Sequence, residues 1–301
     1  MNIITANRIK LHFIVLILGF TAILGKLISL GATDMIWYRM LLAFISLGIY
    51  IYFKKIRIRY SLKTILQMTG VGVIIALHWI TFFYSIKVSN VSVALGTFAS
   101  TTFFTALLEP IIFKQKIKRL ELLLGLVIII GLYLIFQFEF KYRIGIISSL
   151  ISALLAGLFT VLNKKLIRRH DPVSISFYEM GSGFIAITLF FVLSGRFSAG
   201  IPLPSEMDWI WLLILSIVCT AYAFVVSVEV MKVLSAYTVT LALNMEPVYA
   251  ILLASWIFKS SEFMSAGFYA GTVIIMIAVF LFPVINRKNT PHSTTDPTIR
   301  H

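Results

Sequence analysis

The sequence predicts an all-α integral membrane protein of ten transmembrane helices arranged as two inverted five-helix repeats, and three observations carry that prediction. The first is composition: 59% of the 301 residues are hydrophobic and 13% are charged, with a mean hydropathy of +0.98, against roughly 45–50% apolar usage in soluble domains. The second is length. The chain divides into apolar runs of about 20 residues, each sufficient to cross roughly 30 Å of hydrocarbon at about 1.5 Å per residue. The third is an internal echo. A shift of 145 positions lays 87–114 on 232–259 with seven identities in 28 positions, among them the closing Ile112-Phe113-Lys114 on Ile257-Phe258-Lys259.

Ten runs are expected, at 11–30, 35–53, 64–86, 90–112, 120–136, 144–163, 173–194, 208–229, 235–258 and 265–285. Residues 1–140 then form the first repeat and 141–286 the second, with 287–301 a disordered cytoplasmic tail. Five crossings is an odd number, so the second repeat enters the membrane from the opposite side, an architecture that places a binding site near the midplane. Charge sets the orientation. Of the 26 basic residues, nineteen fall on the side of the N-terminus, six on the other, and Arg39 lies inside a run. The positive-inside rule therefore puts both termini in the cytoplasm. The same distribution assigns the net charge of +14 to topology and contact with anionic lipid rather than to nucleic acid.

Along the first repeat, run 1 carries a strip of Gly19, Ala22, Gly25, Lys26 and Ser29. Small residues there favour close helix approach, while Lys26 snorkels or gates the outer end. Run 2 opens on Trp37 and Tyr38, an aromatic belt, with Arg39 deeper; a buried guanidinium offers a fixed fork of donors to a carboxylate or phosphate. His78, past mid-depth in run 3, and the following Trp79 are candidate cavity residues, and His78 is a candidate proton carrier. Run 4 presents Thr97, Thr101, Thr105 and Glu109 at intervals of four, one polar face, although threonines also bond back to their own helix. Run 5, with Gly125 and Gly131, reads as scaffold or dimer surface.

In the second repeat, run 6 offers Ser149, Ser152, Ala156, Thr160 and Asn163 for tight central packing. Run 7 brings in Tyr178 and Glu179. Under inversion Arg39 and Glu179 sit at opposite ends of one pathway with opposite charge, and Lys26 and Glu179 are the candidate gating residues. Run 8 places Tyr222 near mid-depth. Run 9, Ser235 to Phe258, organises the rest: Asn244, Glu246 and Pro247 stand in mid-run, and the proline frees the Leu243 carbonyl. An acid, an amide and a free carbonyl at one level belong against a polar cavity. Asn244 and Glu246 point to different sides of the helix, so one faces substrate and the other ties helices together. Run 10 repeats the small-residue theme with Gly267 and Gly271.

These residues resemble the EamA-type permeases of the drug/metabolite transporter superfamily, through Lys26, the 77–95 segment LHWITFFYSIKVSNVSVAL, the 243–258 segment LNMEPVYAILLASWIF and a glycine-bearing last run in each half. Pro247 matches the family's proline in run 9, whereas Thr102 stands at the equivalent place in run 4. The resemblance implies a bacterial inner-membrane carrier, often an exporter of amino acids, other metabolites or drugs, with a cavity between the central helices and runs 5 and 10 at the periphery.

The expected function is a secondary transporter of small metabolites such as amino acids, working by alternating access as a monomer or homodimer. Its candidate substrate-binding residues are Arg39, His78, Trp79, Thr97, Thr101, Tyr178, Tyr222, Asn244 and Glu246. Protons are the candidate coupling ion and no cofactor is expected. A non-transporting receptor or accessory subunit is the alternative. An enzyme is disfavoured: no His-Glu-x-x-His, no serine-protease setting and no Walker sequence occurs, and Cys219, the only cysteine, supports neither a disulfide nor a zinc motif.

Overall fold

The computed structural model describes residues 3–116, 119–243 and 245–288, and it is helical throughout, with no strand among the described residues. In chain order the helices are α1 (Ile3–Leu27), α2 (Ala32–Lys54), α3 (Leu62–Val88), α4 (Val91–Phe98), α5 (Thr101–Phe113), α6 (Arg119–Phe138), α7 (Arg143–Leu166), α8 (Pro172–Leu193), α9 (Glu206–Leu213), α10 (Ala223–Val230), α11 (Ala236–Leu243), α12 (Met245–Phe258) and α13 (Ala266–Lys288). A π-helix, Ile214–Tyr222, joins α9 to α10. Asn244 and the tail from 289 lie outside the described residues.

Among the described residues seven stretches are long and apolar enough to cross a membrane: 5–27, 32–54, 62–88, 91–113, 140–166, 172–193 and 206–230. Shorter apolar helices occur at Gly125–Phe138 and Ala266–Ala278. The protein is therefore a multi-pass membrane protein. Length and composition establish seven of the ten expected runs; α12 is a 14-residue helix, and within α6 and α13 the apolar stretches are Gly125–Phe138 and Ala266–Ala278.

Local sequence explains where the helices begin. The Asn90 side chain accepts from Val93 N at 2.8 Å at the start of α4, and Asp171 accepts from Val173 N and Ser174 N, with Pro172 in the first helical position of α8. Ser205 and Asp208 form a reciprocal capping box at α9. Each device satisfies amide hydrogens that a helix end otherwise leaves orphaned. Between α4 and α5 the chain turns at Ala99–Ser100. There Ser100 and Thr101 donate to the carbonyls of Thr97 and Phe98 at 2.8 and 2.6 Å, a back-bonding that loosens a helix without proline. Lys114 and Lys259, paired by the 145-residue shift, both take left-handed backbone, with φ of 54° and 49°.

The core has two parts. The larger joins α1, α2, α3, α4, α7, α8, α10 and α12 through residues such as Met35, Met40, Ile75, Phe83, Ile175 and Ala250. Within it α3 packs on α7 and α8, so closely that a Cβ added to Gly72 would come within 2.4 Å of the Glu179 carbonyl oxygen. The 91–113 stretch is the most buried of the seven, with 72% of its window inside. The smaller part pairs α6 with α13 through Ile128, Ile135, Phe268 and Ile275. Gly131 and Gly271 meet there: a Cβ on either would lie 2.8 or 2.6 Å from the other's carbonyl oxygen. These glycine faces are filled by each other within one chain, so they are not the free dimer surface that the sequence also allowed.

Candidate functional site

A cavity of about 100 Å³ lies in the larger core, room for several water molecules or a solute of a few heavy atoms. Arg39, His78, Trp79, Thr101 and Glu246 come together in its wall, with Thr21, Phe82, Phe83, Phe98, Phe159, Thr160, Asn163, Cys219, Phe224, Ser227 and Met231. Aromatic rings thus alternate with a few polar groups. This composition is common in small-molecule sites, where apolar surface supplies contact and the polar groups fix orientation.

Arg39 is the centre of the wall. It is 1% exposed, its guanidinium lies 3.8 Å from the Trp79 ring centroid and 5.5 Å from that of Phe83, and its Nε donates to Thr220 Oγ1 at 2.7 Å. Thr220 is held for this by the π-helix, its hydroxyl donating to Leu215 O at 2.7 Å; such wide turns recur at functional sites. The guanidinium Nη1 is buried and has no hydrogen-bond partner. An orphaned buried donor costs about 1–3 kcal/mol, more when charged. Glu246, 8% exposed, lines the same cavity. No ion pair within 4 Å joins it to Arg39, the three among the described residues being elsewhere. A buried arginine and a buried glutamic acid therefore line one void without an ion pair between them.

His78 is tied to α7. Its Nδ1 lies 3.0 Å from Ser152 O and 2.8 Å from Ser152 Oγ, and its ring sits against Phe98 and Phe159 at centroid distances of 5.5 and 5.3 Å. Nε2 has no protein partner among the described residues. Thr101 lines the cavity with its hydroxyl already bonded to Phe98 O.

The remaining expected site residues lie elsewhere. Thr97 is fully buried with an unpartnered hydroxyl, outside the cavity wall. Tyr178 donates to Ile58 O at 2.7 Å, fastening α8 to the loop before α3. Tyr222 is 50% exposed and turned away from the cavity, because it stands two residues from the inward-facing Thr220, close to the opposite side of a helix. Glu179 is fully buried behind the wall, with neither carboxylate oxygen hydrogen-bonded. Asn163 is likewise buried with neither amide atom hydrogen-bonded. Lys26 does not snorkel to solvent alone: it donates to Glu262 at 2.6 Å and to Ser261 Oγ at 3.1 Å. Glu262 in turn accepts from Ser92 N at 2.8 Å at the start of α4, where a helix favours an anion.

Sequence reasoning missed the phenylalanine lining. Phe98 and Phe159 look like ordinary apolar positions, and only the crossing of α4 with α7 brings them to His78. No group of three or more metal-ligating side chains occurs among the described residues.

Three comparisons bear on what this arrangement belongs to. An uncharacterized transporter of Archaeoglobus fulgidus is 29% identical over 169 residues, 56% of this chain and 57% of the relative, so the match spans little more than half the relative's length. The uncharacterized transporter YxxF of Bacillus subtilis is 21% identical over 248 residues, 80% of this chain and 76% of the relative. A Clostridium kluyveri uncharacterized transporter is 26% identical over 214 residues, 68% of this chain and 67% of the relative. One solved crystal structure shares the fold with a TM-score of 0.68 at 13% identity, covering 94% of this chain and 99% of that one. The sequence model of the EamA-like transporter family matches residues 10–137 and 143–283. With most of both halves accounted for, the chain belongs to the EamA-like transporter family.

Proposed function

We propose that this protein is a secondary carrier that exports small zwitterionic metabolites, amino acids among them, by alternating access. The observation that carries the reading is the pair Arg39 and Glu246, buried, opposite in charge, on one cavity wall and unjoined. A solute with a carboxylate at one end and an ammonium at the other completes both, and its apolar portion packs on Trp79, Phe83 and Phe224. Such a solute relieves the unpartnered Arg39 Nη1, which is a reason for the fold to keep a charge at this depth.

Alternating access rests on two inverted repeats, 1–140 and 141–286, crossing the membrane ten times. The family match to each half and the left-handed backbone shared by Lys114 and Lys259 support the duplication; the five apolar runs expected in each half, an odd number, support the inversion. Export from the cytoplasm across the inner membrane, with both termini cytoplasmic, is supported by the basic loops. It is also supported by the cavity wall, which runs from Arg39 toward Asn163 and Met231 at the end expected to face the cytoplasm, while Lys26 and Glu262 bind tightly at the other. His78, with one free ring nitrogen, and Glu179 are the groups suited to coupling protons to the cycle.

The experiment is counterflow of a metabolite panel into proteoliposomes. Saturable exchange of at least one zwitterion is expected. Flux that rises linearly without saturation, or protein that moves no solute yet binds another membrane protein stably, contradicts the reading.

A further inference from the structure

Away from the central cavity, a larger recess of about 740 Å³ opens between the start of α3, the end of α5 and the end of α7. Its rim is basic: Lys63, Lys165, Arg168, Arg169 and His170 line it, with no acidic residue. None of these cations makes an ion pair within 4 Å among the described residues. Arg168 is steered by the Phe113 ring, 4.6 Å from its centroid. Burial and neighbouring Arg169 hold the His170 imidazole below its ordinary range. It is thus neutral at pH 7, and the positive field comes from the lysines and arginines.

Below the rim the wall turns apolar. Leu66, Gly70 and Ile74 of α3 face Leu162 and Leu166 of α7, and a Cβ added to Gly70 meets nothing within 4 Å. The recess is amphipathic along its length, polar and cationic at the helix ends and greasy toward the bundle centre. A free phosphate uses only the first part.

We propose that this recess binds an anionic phospholipid, its phosphate on Lys165, Arg168 and Arg169 and one acyl chain along the Gly70 trough. Basic pockets between helices at the cytoplasmic end of a bundle suit such head groups. The occupant's leaflet follows the orientation proposed above, but binding itself is independent of transport, so either reading can fail alone.

The test is thermal unfolding of the full chain in neutral detergent with dioleoylphosphatidylglycerol, dioleoylphosphatidylcholine or glycerol 1-phosphate added. The phosphatidylglycerol is expected to raise the melting temperature by roughly 2 °C at tenfold excess over its Kd, equally at pH 7 and pH 8, with the other two inert. The rise is lost in the K165A/R168A/R169A variant and, separately, in Gly70→Phe, which fills the trough while keeping every charge; Gly70→Phe decides the matter if the triple variant does not fold. Equal stabilisation by phosphatidylcholine, reproduction of the effect by glycerol 1-phosphate, or an undiminished rise in Gly70→Phe overturns the proposal.

Discussion

The end of the bundle around Lys26 and the cavity around Arg39 treat buried charge in opposite ways. At the Lys26 end each described buried acid has at least one partner, with only Asp34 Oδ1 left without one. Glu262 holds Lys26 and the amides of Val91 and Ser92, Asp208 holds Ser29 through N and Oγ at 2.7 and 2.6 Å, and Asp34 holds Arg196 at 2.9 Å. Glu139 accepts from Ser265 N at 2.8 Å. All of these bonds run from one half of the chain to the other, and they join the halves at that end. In the cavity, by contrast, Arg39 keeps a free donor and Glu246 stands across from it unjoined. Charges that satisfy each other hold a structure together; on the proposed function, polar groups left open on a void are the ones a solute completes.

Substitutions separate the two roles. Arg39→Ala breaks the comparison if it fails: losing two charge-assisted bonds worth about 1.5 kcal/mol each predicts about a 100-fold fall in transport kcat/KM, measured by counterflow. The folded fraction is expected to hold, since the deletion also removes an unsatisfied cation. Glu246→Gln keeps shape but not charge and is expected to cost about tenfold in apparent affinity for a zwitterion, read from the concentration dependence of uptake. Lys26→Ala acts on stability instead. It strips one partner from the fully buried Glu262 but leaves the α4 amides, so a loss of about 1–2 kcal/mol is expected, discounted because Lys26 is partly solvated. Thermal unfolding checks this, with substrate affinity unchanged. Tyr222→Ala is the smallest, within about twofold of wild type in transport, because its side chain points out of the bundle.

Much of this contrast was visible in the chain before any coordinates. Arg39, His78, Trp79, Thr101 and Glu246 stand out because polar groups in an apolar run require a reason, and that argument needs only composition and position. The pairing of glycines at 131 and 271 could be suspected but not directed, since small residues favour close approach without naming the partner. Three things were not legible. Tyr222, expected from its depth in run 8 to meet the cavity, points outward while Thr220 of the same π-helix points in, and depth alone does not say which way a side chain faces. The acid that neutralises Lys26 comes from a turn 236 residues away. And the aromatic lining by Phe98 and Phe159 depends on a helix crossing that periodicity does not encode.

The most direct test of the central claim is a comparison of binding to purified protein among a transported amino acid, its methyl ester and its N-acetyl derivative, in wild type, Arg39→Ala and Glu246→Gln. Bridging of Arg39 and Glu246 by the solute predicts that each blocked derivative binds wild type at least about tenfold more weakly. It further predicts that Arg39→Ala abolishes the preference for a free carboxylate and Glu246→Gln the preference for a free ammonium. Derivatives that bind wild type as tightly as the parent amino acid, or preferences that survive in both variants, would contradict it.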